Sequence, residues 1–231
     1  MIRFRIFFLL PVLLLAPAAQ ARADPGADSS LKILLVVGAG GTSEYEAIFK
    51  ETAALWIEAA KKGGAAIDVI GGAAGETREN TEDQAKDQTN DDAKRLRESI
   101  AAEKAPALWI VLIGHGTFDG RVAKFNVPGP DFTDEELAEW LGGYEGALSF
   151  INTASASGSY IREMAAPGRV VITATKNEGE IFFTRFGRFF AEAVGGLIDA
   201  DLDNDEQVSL LEAFLFAAGR VAEFYKGAGR L

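Results

Sequence analysis

Two stretches of the chain set polar, chemically useful side chains at the ends of apolar runs. "LIGHGTFDG" (112–120) contains His115, the only histidine among 231 residues, with a glycine on either side. An imidazole exchanges a proton near neutral pH, and flanking glycines let the backbone approach a ligand closely. "INTASASGSYI" (151–161) ends a second apolar run in small residues, with hydroxyls at Thr153, Ser155, Ser157 and Ser159. A serine nucleophile needs a hydrogen-bonded base to take its proton during attack. The G-x-S-x-G elbow does not fit here, because Thr153 and Ser157 flank Ser155 at two positions while Ser155 and Ser159 flank Ser157. The plainer role for Ser155 and Ser157 is to cap the following helix "GSYIREMAA" by accepting hydrogen bonds from its first amides. A third stretch, "VVGAGGTS" (36–43), has Ser43 where a dinucleotide fingerprint needs its third glycine, so it reads as a tight strand-to-helix turn.

The elements that position these residues follow from periodicity. "KILLVVG" (32–38), "AIDVIGG" (66–72), "ALWIVLIG" (107–114), "GALSFINTA" (146–154) and "RVVITAT" (169–175) are apolar runs of strand length. Between them lie helical patterns at 43–62, 91–104 and 134–143, and an aromatic-rich helix follows within 175–194. Near-continuous apolar strands alternating with helices predict an α/β fold, a three-layer α/β/α sandwich with a mostly parallel sheet covered on both faces. In such sheets ligands bind outside the carboxyl ends of the strands. That rule gives Gly38 to Ser43, Gly114 to Gly120, Thr153 to Ser159 and Thr175 to Glu180 the first claim on function. The segment 75–92 is polar without apolar period and reads as a solvated loop, with substrate gating as its alternative role.

His-Gly after one strand and a small-Ala-Ser-x-Ser-Gly segment after the next, about 40 residues on, resemble the caspase and legumain-like cysteine peptidases. The likeness covers roughly residues 31–200 and implies a caspase-like sandwich. By that resemblance His115 stands at the catalytic histidine, the Gly116 N–H at the oxyanion donor, and Ser155 at the nucleophilic cysteine. The loop after the fifth strand lines the specificity pocket in that family, which makes Asn177, Glu178 and Arg185 candidate liners. The departure is the nucleophile. A thiol ionises with a reference pKa of about 8.5, whereas a hydroxyl needs a base in direct contact, and the chain contains no cysteine.

"DLDNDEQVSLLE" (201–212) looks like an EF-hand loop, with Asp201, Asp203 and Asp205 at its first, third and fifth places. The resemblance implies calcium held by these carboxylates, the Gln207 carbonyl, Ser209 at the ninth place and Glu212 closing the site at the twelfth. Glu206 departs from the family's sixth-place glycine, and a left-handed backbone there costs on the order of 1 kcal/mol. Ser209-Leu210-Leu211-Glu212 is also a capping box for the helix that follows, and the two roles overlap.

Composition sets the remaining limits. Arg3 and Arg5, the run "IFFLLPVLLLA" and Ala21-Arg22-Ala23 predict a cleaved signal peptide over 1–23, with a retained anchor as the lesser alternative. A linker (24–30), the sandwich (31–200) and a calcium loop with terminal helix (201–231) follow. Cleavage removes three arginines and no acid, so the net charge moves from −11 to −14, which excludes a phosphate-backbone binder. No nucleic acid and no stable membrane insertion after cleavage are expected, and the protein is placed in the periplasm or outside the cell. The expected function is peptide or protein binding in the crevice without cysteine-peptidase activity, together with calcium binding. Two alternatives stay open: an active peptidase or amidase using Ser155 with His115, and a calcium-dependent structural or interaction protein.

Overall fold

The computed structural model describes residues 30–72 and 91–229. The expected signal segment, the linker up to residue 29 and the polar stretch up to residue 90 lie outside the described residues. The chain runs β1 (Leu31–Val37), α1 (Ser43–Gly63), β2 (Ala66–Gly71), α2 (Asp92–Ala102) and β3 (Ala107–Ile113). It continues through β4 (Gly116–Phe118), β5 (Ala123–Phe125), β6 (Phe132–Thr133), α3 (Asp134–Trp140), β7 (Ala147–Asn152), α4 (Tyr160–Met164), β8 (Arg169–Thr173), α5 (Phe186–Val194) and α6 (Leu210–Gly227). Short 3₁₀ turns at Leu141–Gly143 and Ile198–Ala200 complete it.

Five strands form one all-parallel sheet in the order β2-β1-β3-β7-β8. The strands are apolar on both faces because both are covered. Leu34, Val36, Ile110, Leu112 and Phe150 meet α2, α3 and α4 on one side. Ile33, Leu35, Val37, Val111, Ile113 and Ile151 meet α1, α5 and α6 on the other. This is the expected α/β/α sandwich. The terminal helix belongs to the second layer, since Ala213 and Ala217 are fully buried against α5.

Helix ends carry their own signals. Thr42 caps α1, with Glu44 and Glu46 in the first turn and Lys61 and Lys62 in the last, so side-chain charge opposes the helix dipole at both ends. Thr133 and Glu136 form a reciprocal capping box on α3. A small antiparallel sheet, β4-β5-β6, leaves the main sheet directly after β3 and was not expected from the sequence. Its strands are only three, three and two residues long, too short to show a period.

The order of the strands decides where a ligand goes. From β1 the chain crosses to β2 on one side, then returns to lay β3 on the other. The carboxyl ends of β1 and β3 therefore border the switch-point crevice of the sheet. His115 lies two residues beyond β3, at that point.

Candidate functional site

The crevice is built by four strand ends. The turn after β1 brings Gly40 and, in the first turn of α1, Tyr45. His115 follows β3, Ser155 follows β7, and the loop after β8 contributes Phe183. The His115 ring lies 4.5 Å from Tyr45 and 5.1 Å from Phe49, both edge-on, and 6.2 Å from Phe183. Half-burial among these rings lowers the imidazole pKa below its ordinary 6.5 by removing water from the charged form, and the Gly40 backbone opposes the shift only in part. The surroundings thus favour the neutral ring over the imidazolium.

Ser155 is fully buried and its hydroxyl is committed. Its Oγ accepts from the Gly116 N–H at 3.1 Å and donates to the Gly116 carbonyl at 3.0 Å. Among the described residues no hydrogen bond joins Ser155 to His115. The N–H that would act as oxyanion donor is therefore already satisfied by the side chain at the nucleophile position. The two backbones approach so closely that a Cβ at Gly116 would overlap the Ser155 carbonyl oxygen. The neighbouring Ala156 takes a left-handed φ of 51°, unusual for a residue with a side chain, and its N–H donates to the Glu180 carbonyl at 2.8 Å.

The capping role expected for Ser155 and Ser157 is corrected. Ser157 pairs instead with Thr175, whose Oγ1 accepts from the Ser157 and Gly158 amides at 2.9 and 3.0 Å, while Thr175 N–H donates to Ser157 Oγ at 3.2 Å. Helix α4 begins at Tyr160, and its N-cap residue Ser159 makes no side-chain capping bond. The hydroxyls tie one strand end to the next by bonding the amides of the buried turns.

The candidate pocket liners separate. Asn177 Oδ1 accepts from the Gly179 N–H at 2.9 Å, which shapes its own turn. Glu178 is half-buried in that turn. The Arg185 guanidinium lies 4.0 Å over the Phe224 ring and so engages α6. Beside them Ile181 and Phe182 are exposed, Phe182 at 86%. Tyr45, Phe49 and Phe183 are the site residues that the motif pattern missed. Tyr45 stands in the turn right after a strand-end glycine segment, where it could have been found. A separate groove of about 350 Å³ runs between α1 and α5 past Leu55, Lys62 and Leu197, away from His115.

The acidic loop forms the second region. Carboxylate oxygens of Asp201, Asp203 and Asp205 all lie within 4.8 Å of one another. Asp201 accepts from the amides of Asp205 and Glu206, and Asp205 accepts from that of Gln207. Glu212 reaches back to the amides of Leu202, Asp203 and Ser209 at 2.8, 3.2 and 2.8 Å. Those amides, with Ser209 first, hold its carboxyl down at about 2. Asp203 is raised above its ordinary value, first by lost hydration and then by Asp205, Glu212 and Asp201.

Glu206 adopts φ 68° and Asn204 φ 61°, so the sharp turn forms although glycine is absent at the sixth place. The donor set is all oxygen and its carboxylates repel one another, which fits a hard divalent cation. Ser209 and Glu212 also complete the reciprocal capping box on α6.

Among the described residues no helix is long and apolar enough to cross a membrane. No family model matches this chain, and no curated protein matches it significantly.

Proposed function

We propose that the protein is an exported, noncatalytic relative of the caspase and legumain-like peptidases that binds peptide or protein segments in its crevice and holds calcium in its acidic loop. The observation that carries the noncatalytic part is the double hydrogen bond between the Ser155 hydroxyl and the Gly116 backbone. An active hydrolase needs the base in contact with the nucleophile and the oxyanion donor free. Here the base is packed among aromatic rings, and the nucleophile position fills the donor. His115 at the sheet's switch point, with exposed Ile181 and Phe182 on the adjoining loop, supports a surface for extended segments.

Selecting the mature protein against a displayed peptide library tests the binding role. Enriched sequences should lose affinity about tenfold or more for Phe183→Ala, a hot-spot-sized effect, and bind Ser155→Ala as well as the parent. Failure to enrich any sequence, or enrichment indifferent to Phe183, would defeat it.

A calcium-dependent structural or interaction role is favoured by a different observation, the convergence of Asp201, Asp203 and Asp205. In that case Asp201, Asp203, Asp205, Glu212, the Gln207 carbonyl and Ser209 would hold the ion, which supplies charge neutralisation and fixes the start of α6. Heat stability should then depend on calcium and be indifferent to peptide.

A further inference from the structure

We propose that the outward face of α6 is a homodimer surface, on which the α6 of a second copy of this chain lies antiparallel across a two-fold axis near Ala218. This is independent of what the crevice and the acidic loop bind.

Helix α6 is apolar around more of its circumference than the fold covers. At about 3.6 residues per turn, Leu211, Phe214, Leu215, Ala218, Ala222 and Tyr225 recur at i, i+3, i+4, i+7, i+11 and i+14. They form one stripe beside the buried Ala213 and Ala217, and no charged side chain interrupts it. Leu211 is 66% exposed and Leu215 49%. Phe214 meets Phe186 at 5.8 Å along one edge and is still 37% exposed. A helix that packs on one side only is ordinarily polar on the other.

Shape and charge both select a second copy as the occupant. The bulky side chains Leu211, Phe214 and Leu215 stand in the amino half of the stripe, and the small Ala218, Gly219 and Ala222 in its carboxyl half. Antiparallel copies set bulk against small residues in both directions, with Phe214 facing Ala222 and Leu211 facing Tyr225. Parallel copies would crowd bulk on bulk and leave a void where small residues face each other. The charges follow the same polarity. From Ile198 to Glu212 the chain carries six carboxylates and no base, whereas from Ala213 to Gly229 Arg220 and Lys226 stand against Glu223 alone. Arg220 already pairs with Glu223 at 3.1 Å, which leaves Lys226 as the surplus charge. An antiparallel pair brings the acidic end of each α6 to the basic end of the other, twice by symmetry, while a parallel pair would oppose the two acidic ends.

Sedimentation equilibrium of the mature protein in a chelating buffer should show a reversible monomer-dimer equilibrium. Leu211→Glu and Leu215→Glu should each raise the dimer dissociation constant about tenfold or more while keeping the circular dichroism spectrum of the parent. The chain has no cysteine, so introduced thiols read the orientation directly. A disulfide needs Cα atoms within about 7 Å. Ala218→Cys, next to the axis, should therefore oxidise to a covalent dimer under diamide. Leu211→Cys alone should not, because its two copies stand about 21 Å apart along the helices, but mixed with Tyr225→Cys it should give a heterodimer of mixed mass. A parent that is monomeric at every concentration overturns the proposal, as does a dimer that both glutamate variants leave unchanged. Self-linking of Leu211→Cys as ready as its linking to Tyr225→Cys overturns the antiparallel arrangement.

Discussion

At the scale of single residues, the Ser155 hydroxyl has a structural task. Truncation in Ser155→Ala strands the buried N–H and carbonyl of Gly116, so unfolding free energy should fall by about 1–3 kcal/mol in urea titrations. His115 gives a pH signature. Its folded pKa lies below 6.5, so the unfolded chain binds the proton more readily, and stability should drop as pH falls through about 6.5. Urea midpoints measured between about pH 5 and pH 7 should show this loss in the parent and less of it in His115→Gln. Sequence alone brought His115, Gly116 and Ser155 together, because the strand-end rule needs only the apolar runs and their order. It did not reveal the rings around His115. Tyr45, Phe49 and Phe183 come from a helix and a loop far along the chain, where aromatics at helical spacing read as core. Nor did it reveal where the hydroxyls of Ser155 and Ser157 would point, since their partners, Gly116 and Thr175, lie on neighbouring strand ends.

At the scale of elements, α5 is pressed tightly onto the end of β7. A Cβ at Gly187 would meet Thr153 Oγ1 at 2.7 Å and Thr153 Cβ at 2.8 Å. Gly187→Ala should therefore push α5 outward and cost about 1–3 kcal/mol, read as a lower urea midpoint. The acidic loop is strained in the opposite sense. Glu206 holds φ 68°, a conformation glycine adopts freely, so Glu206→Gly should raise stability by up to about 1 kcal/mol without calcium. A fall in midpoint would show that the Glu206 side chain has a compensating role. The five long strands and most helices were legible because continuous apolar runs and 3.6-residue spacing extend over several turns or pleats. The β4-β5-β6 sheet was not, because its two- and three-residue strands are defined by pairing partners rather than by a pattern of their own.

At the scale of the whole molecule, one parallel sheet gathers the chemistry-bearing residues at a single edge and joins the terminal helix to the same layer as α1 and α5. Calcium at about a hundred times its dissociation constant should stabilise the fold by about 2.7 kcal/mol. In a domain of this size that is a rise of roughly 5–10 °C in Tm, which should vanish in Asp201→Ala/Glu212→Ala. The alternating pattern made the layers legible, and the carboxylate spacing at 201–212 made the loop legible. The contact between α6 and the crevice loop was not, because it depends on Phe214 and Phe224 finding Phe186 and Arg185 in three dimensions. The proposed crevice binds without cutting. Incubating the purified mature protein with a diverse peptide library and following it by mass spectrometry puts that to the test. Peptides should be recovered intact, with the same profile for the parent and for Ser155→Ala. Cleavage products that appear with the parent and disappear with Ser155→Ala would contradict it.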